Sequence, residues 1–356
     1  MEKRICTILS VWAVLFLTCS SSFAQKSPLA WSGFIEASYN YNFGKGVTNS
    51  LRSYDYRANQ ILLNNAHLVA SGAPSDKVSY VVEADFGTDA GVHGLLNQTG
   101  GGPSIGVDLQ EAYINYSISD KVALTGGKFV TFEGIEVIEG PSNPTVSRGY
   151  LYGLAEPYCH VGGYFTVKPG TEFDIKVGVV NGWDLLIDNN PDKTIISRVG
   201  INLGDPFTLG VSFLTGVEQV NSANWRSSLD LTGVTKAIPK VALNFQVNYG
   251  MESFTDTSGA STDTKWFGFG VQPVIALSEL VDLGFRAEYF VDDKGVRTGN
   301  ANLNAFNFTI APAFKCDGVT FRFEYRFDSS NKEVFLKDMG FAKNSSTVSL
   351  EMLCNL

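Results

Sequence analysis

Residues 319–328 read VTFRFEYRFD. Val319, Phe321, Phe323, Tyr325 and Phe327 alternate with Thr320, Arg322, Glu324, Arg326 and Asp328. Successive side chains of a β-strand point to opposite faces, so this strand carries one apolar and one charged face. A soluble sheet fits the pattern if the apolar face covers a core. A membrane barrel fits it if the apolar face meets lipid and the charges line a wet lumen. One strand does not choose between them, and the rest of the chain must.

The chain has 356 residues, 44% hydrophobic and 18% charged, with 36 glycines and 12% aromatic residues. Low charge with many glycines and aromatics suits an all-β protein rich in turns and is unlike a disordered chain. The N-terminus reads as a secretory leader. Lys3 and Arg4 precede the apolar run ICTILSVWAVLFL (5–17), and Ser22-Phe23-Ala24 has the small-x-small form of a cleavage site after Ala24. The expected mature domain is residues 25–356. Loss of Glu2, Lys3 and Arg4 takes the formal net charge from −9 to −10. An acidic balance argues against nucleic acid as a partner, because that binding rests on Lys and Arg neutralising phosphates. Three cysteines remain, Cys159, Cys316 and Cys354, scattered and without metal-binding spacing. They read as small apolar wall residues, and no cofactor is expected. After the leader no apolar run reaches the ~20 residues of a spanning helix, so a membrane reading requires a closed barrel.

Period-two patterning recurs along the chain. Val78, Tyr80, Val82, Ala84 and Phe86 oppose Ser79, Glu83 and Asp85. Phe173, Ile175, Val177 and Val179 oppose Glu172, Asp174 and Lys176. Val281, Leu283, Phe285, Ala287 and Tyr289 oppose Asp282, Arg286 and Glu288. Sixteen such segments are expected, near 31–43, 58–71, 77–87, 107–118, 121–130, 157–168, 171–183, 193–203, 206–217, 224–235, 239–251, 264–277, 280–291, 301–315, 318–328 and 346–354. Fourteen would remain if 224–235 and 346–354 were not strands. Ile61-Leu62-Leu63 breaks the alternation, and a bulge there would restore it. The connections sort by parity. The even ones are short, such as GAPSD, SD, PG and CD, whereas the odd ones are mostly longer, up to the insert from Thr131 to Glu156. Tight turns at one end and long loops at the other are the outer-membrane barrel pattern. An even strand count puts both termini at the short-turn, periplasmic end, where first and last strands can pair and remove the sheet edges. The fold expected is therefore an all-β transmembrane antiparallel barrel. The charged face of VTFRFEYRFD turns to its lumen, since an Arg facing lipid at the midplane would cost about 2–4 kcal/mol.

A connection as long as 131–156 usually has a function. The inward-folding reading makes it a constriction whose charges sort solutes. A structural plug or an outward solvated loop is the alternative. The candidate pore-lining or constriction residues are Lys128, Glu133, Glu136, Arg148, Glu156, His160, Asp184 and Arg198, with Arg286, Glu288, Arg322, Glu324 and Arg326 from strand faces. Glu133 with Glu136, or Asp184 with Asp188, has the residue types of an acid–base pair or a Ca²⁺ site, but acidic pairs are common in barrel loops without chemistry. Among the histidines, His67 falls in a strand and His93 in a Gly-rich loop, while His160 follows Glu156-Pro157 and is the one a hydrolase would use. Trp183 in NGWD reads first as an interfacial girdle residue and second as a sugar-stacking platform.

The runs GKFVTFEGIEVIEG (127–140), NPTVSRGYLYGLAEPYCHVGGYF (143–165) and VVNGWDLLIDNNPDKT (179–194) resemble the centre of the OmpL-like β-barrel porin family. SGFIEASYNYNF (32–43) and RSYDYRANQILLNNAHLVA (52–70) resemble its opening strands. The chain departs from the family pattern at Phe132, where a proline is usual, and at Ile135, where a tyrosine is usual. The resemblance implies an outer-membrane porin that passes small hydrophilic solutes. Lipid and solute are then the expected partners, and monomer and homo-trimer both stay open. The acidic net charge points to a mild cation preference. A non-conducting barrel plugged by 131–156 and serving as a scaffold or adhesin is the second reading, and an outer-membrane hydrolase the third.

Overall fold

A computed structural model describes residues 29–94, 106–204, 206–220, 223–255 and 261–356. The expected leader, residues 1–24, lies outside the described residues. Among the described residues eighteen strands run β1 Ala30–Asn42, β2 Gln60–Ser75, β3 Val78–Phe86, β4 Val107–Ser119, β5 Val122–Val130, β6 Cys159–Val167, β7 Phe173–Val180, β8 Thr194–Asn202 and β9 Phe207–Val217. They continue as β10 Trp225–Ile238, β11 Val241–Thr255, β12 Ser261–Ala276, β13 Val281–Asp292, β14 Leu303–Cys316, β15 Val319–Ser330, β16 Phe335–Lys337, β17 Gly340–Ala342 and β18 Asn344–Asn355. Sixteen of them form one closed antiparallel barrel in chain order, with β1 paired to β18 from Phe34↔Asn355 to Asn42↔Thr347. The hairpin of β16 and β17 stands apart in the last long connection.

The alternation read from sequence is the alternation of the wall. On β15, Phe321, Phe323 and Tyr325 are exposed on the outside while Arg322, Glu324, Arg326 and Asp328 are buried inside. The break at Ile61-Leu62-Leu63 is resolved by a bulge at the residue that follows. Glu36 faces Asn65 and Ala37 faces Leu63, so Asn64 is the extra residue. Asn64 and Asn65 both turn inward, and Ile61 and Leu63 stay outside. A second bulge was not legible: Glu83 faces Glu111 and Ala84 faces Leu109, which turns both Gln110 and Glu111 to the lumen. Trp183 corrects the girdle expectation. It is buried inside the barrel, edge-to-face on Trp266 at 6.0 Å, with the Arg297 guanidinium 4.7 Å from its ring centre. The exposed tryptophans on the outer wall are Trp31, toward the short-turn end, and Trp225, at the long-loop end, where amphipathic rings suit the membrane interfaces.

Candidate functional site

The site is assembled by the connection 131–156, which folds into the barrel and is held by both sides of the wall. Near its start, the Phe132 carbonyl accepts from Ser212 Oγ on β9 at 2.7 Å. Gly134 N donates to Asp230 Oδ1 on β10 at 3.1 Å, and Glu133 Oε2 accepts from Ser228 Oγ at 2.9 Å. The middle of the loop reaches the far wall. Glu324 Oε2 on β15 accepts the N–H groups of Val146 and Ser147 at 2.7 and 3.0 Å. Glu288 Oε2 on β13 accepts Tyr150 N–H at 2.7 Å. Arg286 donates to Glu136 Oε1 at 2.9 Å and to Thr145 Oγ1 and Ser147 Oγ, both at 2.8 Å. Arg322 ion-pairs with Glu351 on β18 and donates to the Gly140 and Asn143 carbonyls, and Arg326 donates to the Arg148 carbonyl at 2.6 Å. On the return path one π-helical turn, Leu151–Ala155, packs on β12, and Glu156 Oε2 accepts from Gln246 Nε2 at 2.6 Å.

Arg148 holds the loop to itself. Its guanidinium donates to the carbonyls of Val137, Val146 and Ile138 at 2.9, 3.0 and 2.8 Å. These are charge-assisted bonds in a buried setting, individually stronger than neutral ones. The wall makes room where the loop lies. A Cβ at Gly284 on β13 would come 2.4 Å from the Pro144 carbonyl oxygen, and one at Gly268 on β12 would come 2.5 Å from Leu151 Cδ2.

The candidate residues read from sequence therefore fall into three groups. Glu133, Glu136, Arg148, Glu156, Arg286, Glu288, Arg322, Glu324 and Arg326 bond within the loop or between loop and wall. Lys128 and His160 are buried wall residues. Lys128 Nζ donates to Asp108 Oδ2 at 2.7 Å, and His160 Nδ1–H donates to the Gly182 carbonyl at 3.0 Å. Asp184 and Arg198 are half-buried. Asp184, at φ 55°, accepts the N–H groups of Tyr158 and Cys159 at 2.7 and 3.1 Å. Burial pushes its carboxyl up to about 6, against the pull of those two donors.

At the level of the loop the inward side chains are buried on strand after strand: Asn40 on β1, His67 on β2, Thr194 on β8, Asp230 on β10 and Asn307 on β14. Glu83 on β3, Glu111 on β4 and Glu139 of the loop keep partial exposure. Gln110 Nε2 links two of them, donating to Glu139 Oε1 and to Glu83 Oε2, the latter at 3.2 Å. Toward the short-turn end, a cavity of about 610 Å³ opens along the inner faces of β3 to β8, lined by Tyr113, Tyr164, Lys176 and Arg198 among others. A second, of about 360 Å³, lies under Pro141–Pro144 on the other side of the loop. Sequence reasoning missed Glu83, Glu111 and Lys176 as site residues. The signal was their position on the polar side of an alternating strand.

Three solved structures share this architecture. The outer membrane channel DcaP of Acinetobacter baumannii superposes with a TM-score of 0.65 at 11% identity, covering 94% of this chain and 99% of that one. The anion-selective porin from Comamonas acidovorans gives 0.66 at 10% identity, covering 93% and 100%. OmpT, an outer membrane protein of Vibrio cholerae, gives 0.60 at 11% identity, covering 94% and 100%. At such identities the likeness is one of fold. No curated protein matches the chain. The family described as "Putative beta-barrel porin-2, OmpL-like" matches residues 28–356. A closed sixteen-stranded barrel with an apolar outer wall and a match over nearly its whole length place this chain in that family of outer-membrane β-barrel porins.

Proposed function

We propose that small hydrophilic solutes diffuse through this porin between the loop 131–156 and the wall formed by β3 to β8, with the loop as the constriction. One observation carries the route. Glu83, Glu111 and Glu139 keep partial exposure at the level of the loop, and a lumenal cavity of about 610 Å³ lies along the same wall. The residues that hold the loop, Glu288, Glu324, Arg286, Arg322 and Arg326, set the width of the passage without lining it. A ring of carboxylates at the narrowest level and cations below it would sort solutes by charge as well as size. The loop-sealed scaffold is favoured by a different observation, the burial of inward side chains around most of the cross-section. The hydrolase reading finds no support at its base, because His160 is buried in the wall away from solvent. Liposome swelling separates the two surviving readings. Purified protein in liposomes should admit sugars at rates that fall with solute size, and no swelling with any sugar would favour the sealed scaffold.

A further inference from the structure

We infer that Lys176 and Arg198 form a binding site for a small oxyanion, a phosphate or a carboxylate, on the inner wall of the β3–β8 cavity. The inference rests on the porin reading only for how the anion arrives.

Lys176 on β7 and Arg198 on β8 are direct cross-strand partners with both side chains turned to the lumen. Like charges directly opposite each other repel, and a sheet tolerates them best when an anion lies between. The chain supplies little of that neutralisation. Among the described residues no carboxylate lies within 4.0 Å of Lys176 Nζ, and Arg198 has a single long contact, 3.4 Å to Asp174 Oδ2. Both partners of that contact are part-exposed, which makes it weak. The Lys176 ammonium instead sits 5.0 Å from the ring centre of Phe132 and 5.6 Å from that of Tyr164. These rings fix its position without cancelling its charge.

The wall also clears space for the guanidinium. Gly200 on β8 and Gly210 on β9 face each other. A Cβ at Gly200 would lie 2.8 Å from one terminal nitrogen of Arg198, and a Cβ at Gly210 would lie 2.7 Å from the other. The planar fork therefore rests on a floor of glycine, with donors available for a bidentate contact. The cavity in front is lined by four cations, Lys121, Lys168, Lys176 and Arg198, against two carboxylates, Asp120 and Asp174. It is a net-positive chamber in a chain whose formal charge is −9. Glu83 and Glu111, on β3 and β4, lie outside the lining of this cavity, with Glu111 in electrostatic reach of Lys176. An anion that passes these carboxylates is held at the cationic pair. This local arrangement opposes the cation preference that net charge alone suggests, because low-dielectric walls focus the field of the charges lining a passage whereas distant exposed charges are screened by salt.

Two readouts test the site. The first is line broadening of the ³¹P signal of inorganic phosphate by the folded protein in detergent micelles. It should be saturable, and at least threefold smaller in the K176Q/R198Q variant. It should be unchanged in K193Q/K315Q, which removes the same charge elsewhere. No broadening by the unsubstituted protein, or equal broadening by K176Q/R198Q, overturns the site whether or not the protein conducts. The second is the reversal potential in a potassium chloride gradient across a planar bilayer. It should show anion preference that shifts toward cations in K176Q/R198Q, and a cation-selective unsubstituted channel would contradict the inference. A silent bilayer with phosphate broadening intact would remove the porin reading and leave the anion site in place.

Discussion

Glu324 is a buried carboxylate with no cation of the described residues within 4.0 Å. Its strand neighbours are paired, Arg322 with Glu351 and Arg326 with Asp328, whereas Glu324 Oε2 accepts two backbone N–H groups from Val146 and Ser147. The charged face of VTFRFEYRFD is legible in the sequence as an inward face. What fills the space before it is not legible, because alternation reports which side a residue faces and not whether water or chain lies there. An alanine at 324 leaves two buried donors unpaired, at about 1–3 kcal/mol for each group so stranded. In Glu324→Ala, hydrogen exchange at Val146 and Ser147 should therefore rise by about tenfold or more, with the barrel strands unaffected, since about 1.4 kcal/mol is a factor of ten in an opening equilibrium. Unchanged exchange at both amides would mean that Glu324 does not hold the loop.

At the scale of elements, the sixteen barrel strands were legible because each needs only a period-two pattern and a turn, and both are local. The hairpin Phe335–Lys337 with Gly340–Ala342 was not, being too short to show alternation. Trp183 was misjudged for a related reason: a tryptophan at a strand end has the same local sequence whether it faces lipid or folds back over the lumen. The loop 131–156 was legible as an insert, and its path was not, since that path depends on small residues far along the chain. The seat under Pro144 is Gly284, and the seat under Leu151 includes Gly268. Filling one seat should lift the loop while the strand, whose partners are backbone groups, stays in place. Gly284→Leu is expected to keep the heat-modifiable mobility of a folded barrel and to raise single-channel conductance above that of the unsubstituted protein. A folded variant of unchanged conductance would separate the loop's position from the width of the passage.

At the scale of the whole molecule, the barrel is a closed wall with an apolar outside, and the proposed function assigns its selectivity to one inserted segment and the part of the lumen that segment leaves open. The net acidity of the chain says little about that passage, where carboxylates on β3 and β4 lie outside the lining of a cationic chamber on β5 to β8. The same geometry makes the loop removable. The ends of the insert meet at the wall, where Thr131 N–H donates to the Tyr158 carbonyl at 3.1 Å just beyond the pair Val130↔Cys159, so residues 132–157 can be replaced by a two-residue glycine link without stretching the wall. Single-channel current of the purified protein beside this deletion variant, in a planar bilayer, is the most direct test. The account predicts small ohmic steps from the complete chain and steps several times larger from the variant. Equal steps from the two, or silence from both when folded, would contradict the claim that this barrel is a porin narrowed by its own loop.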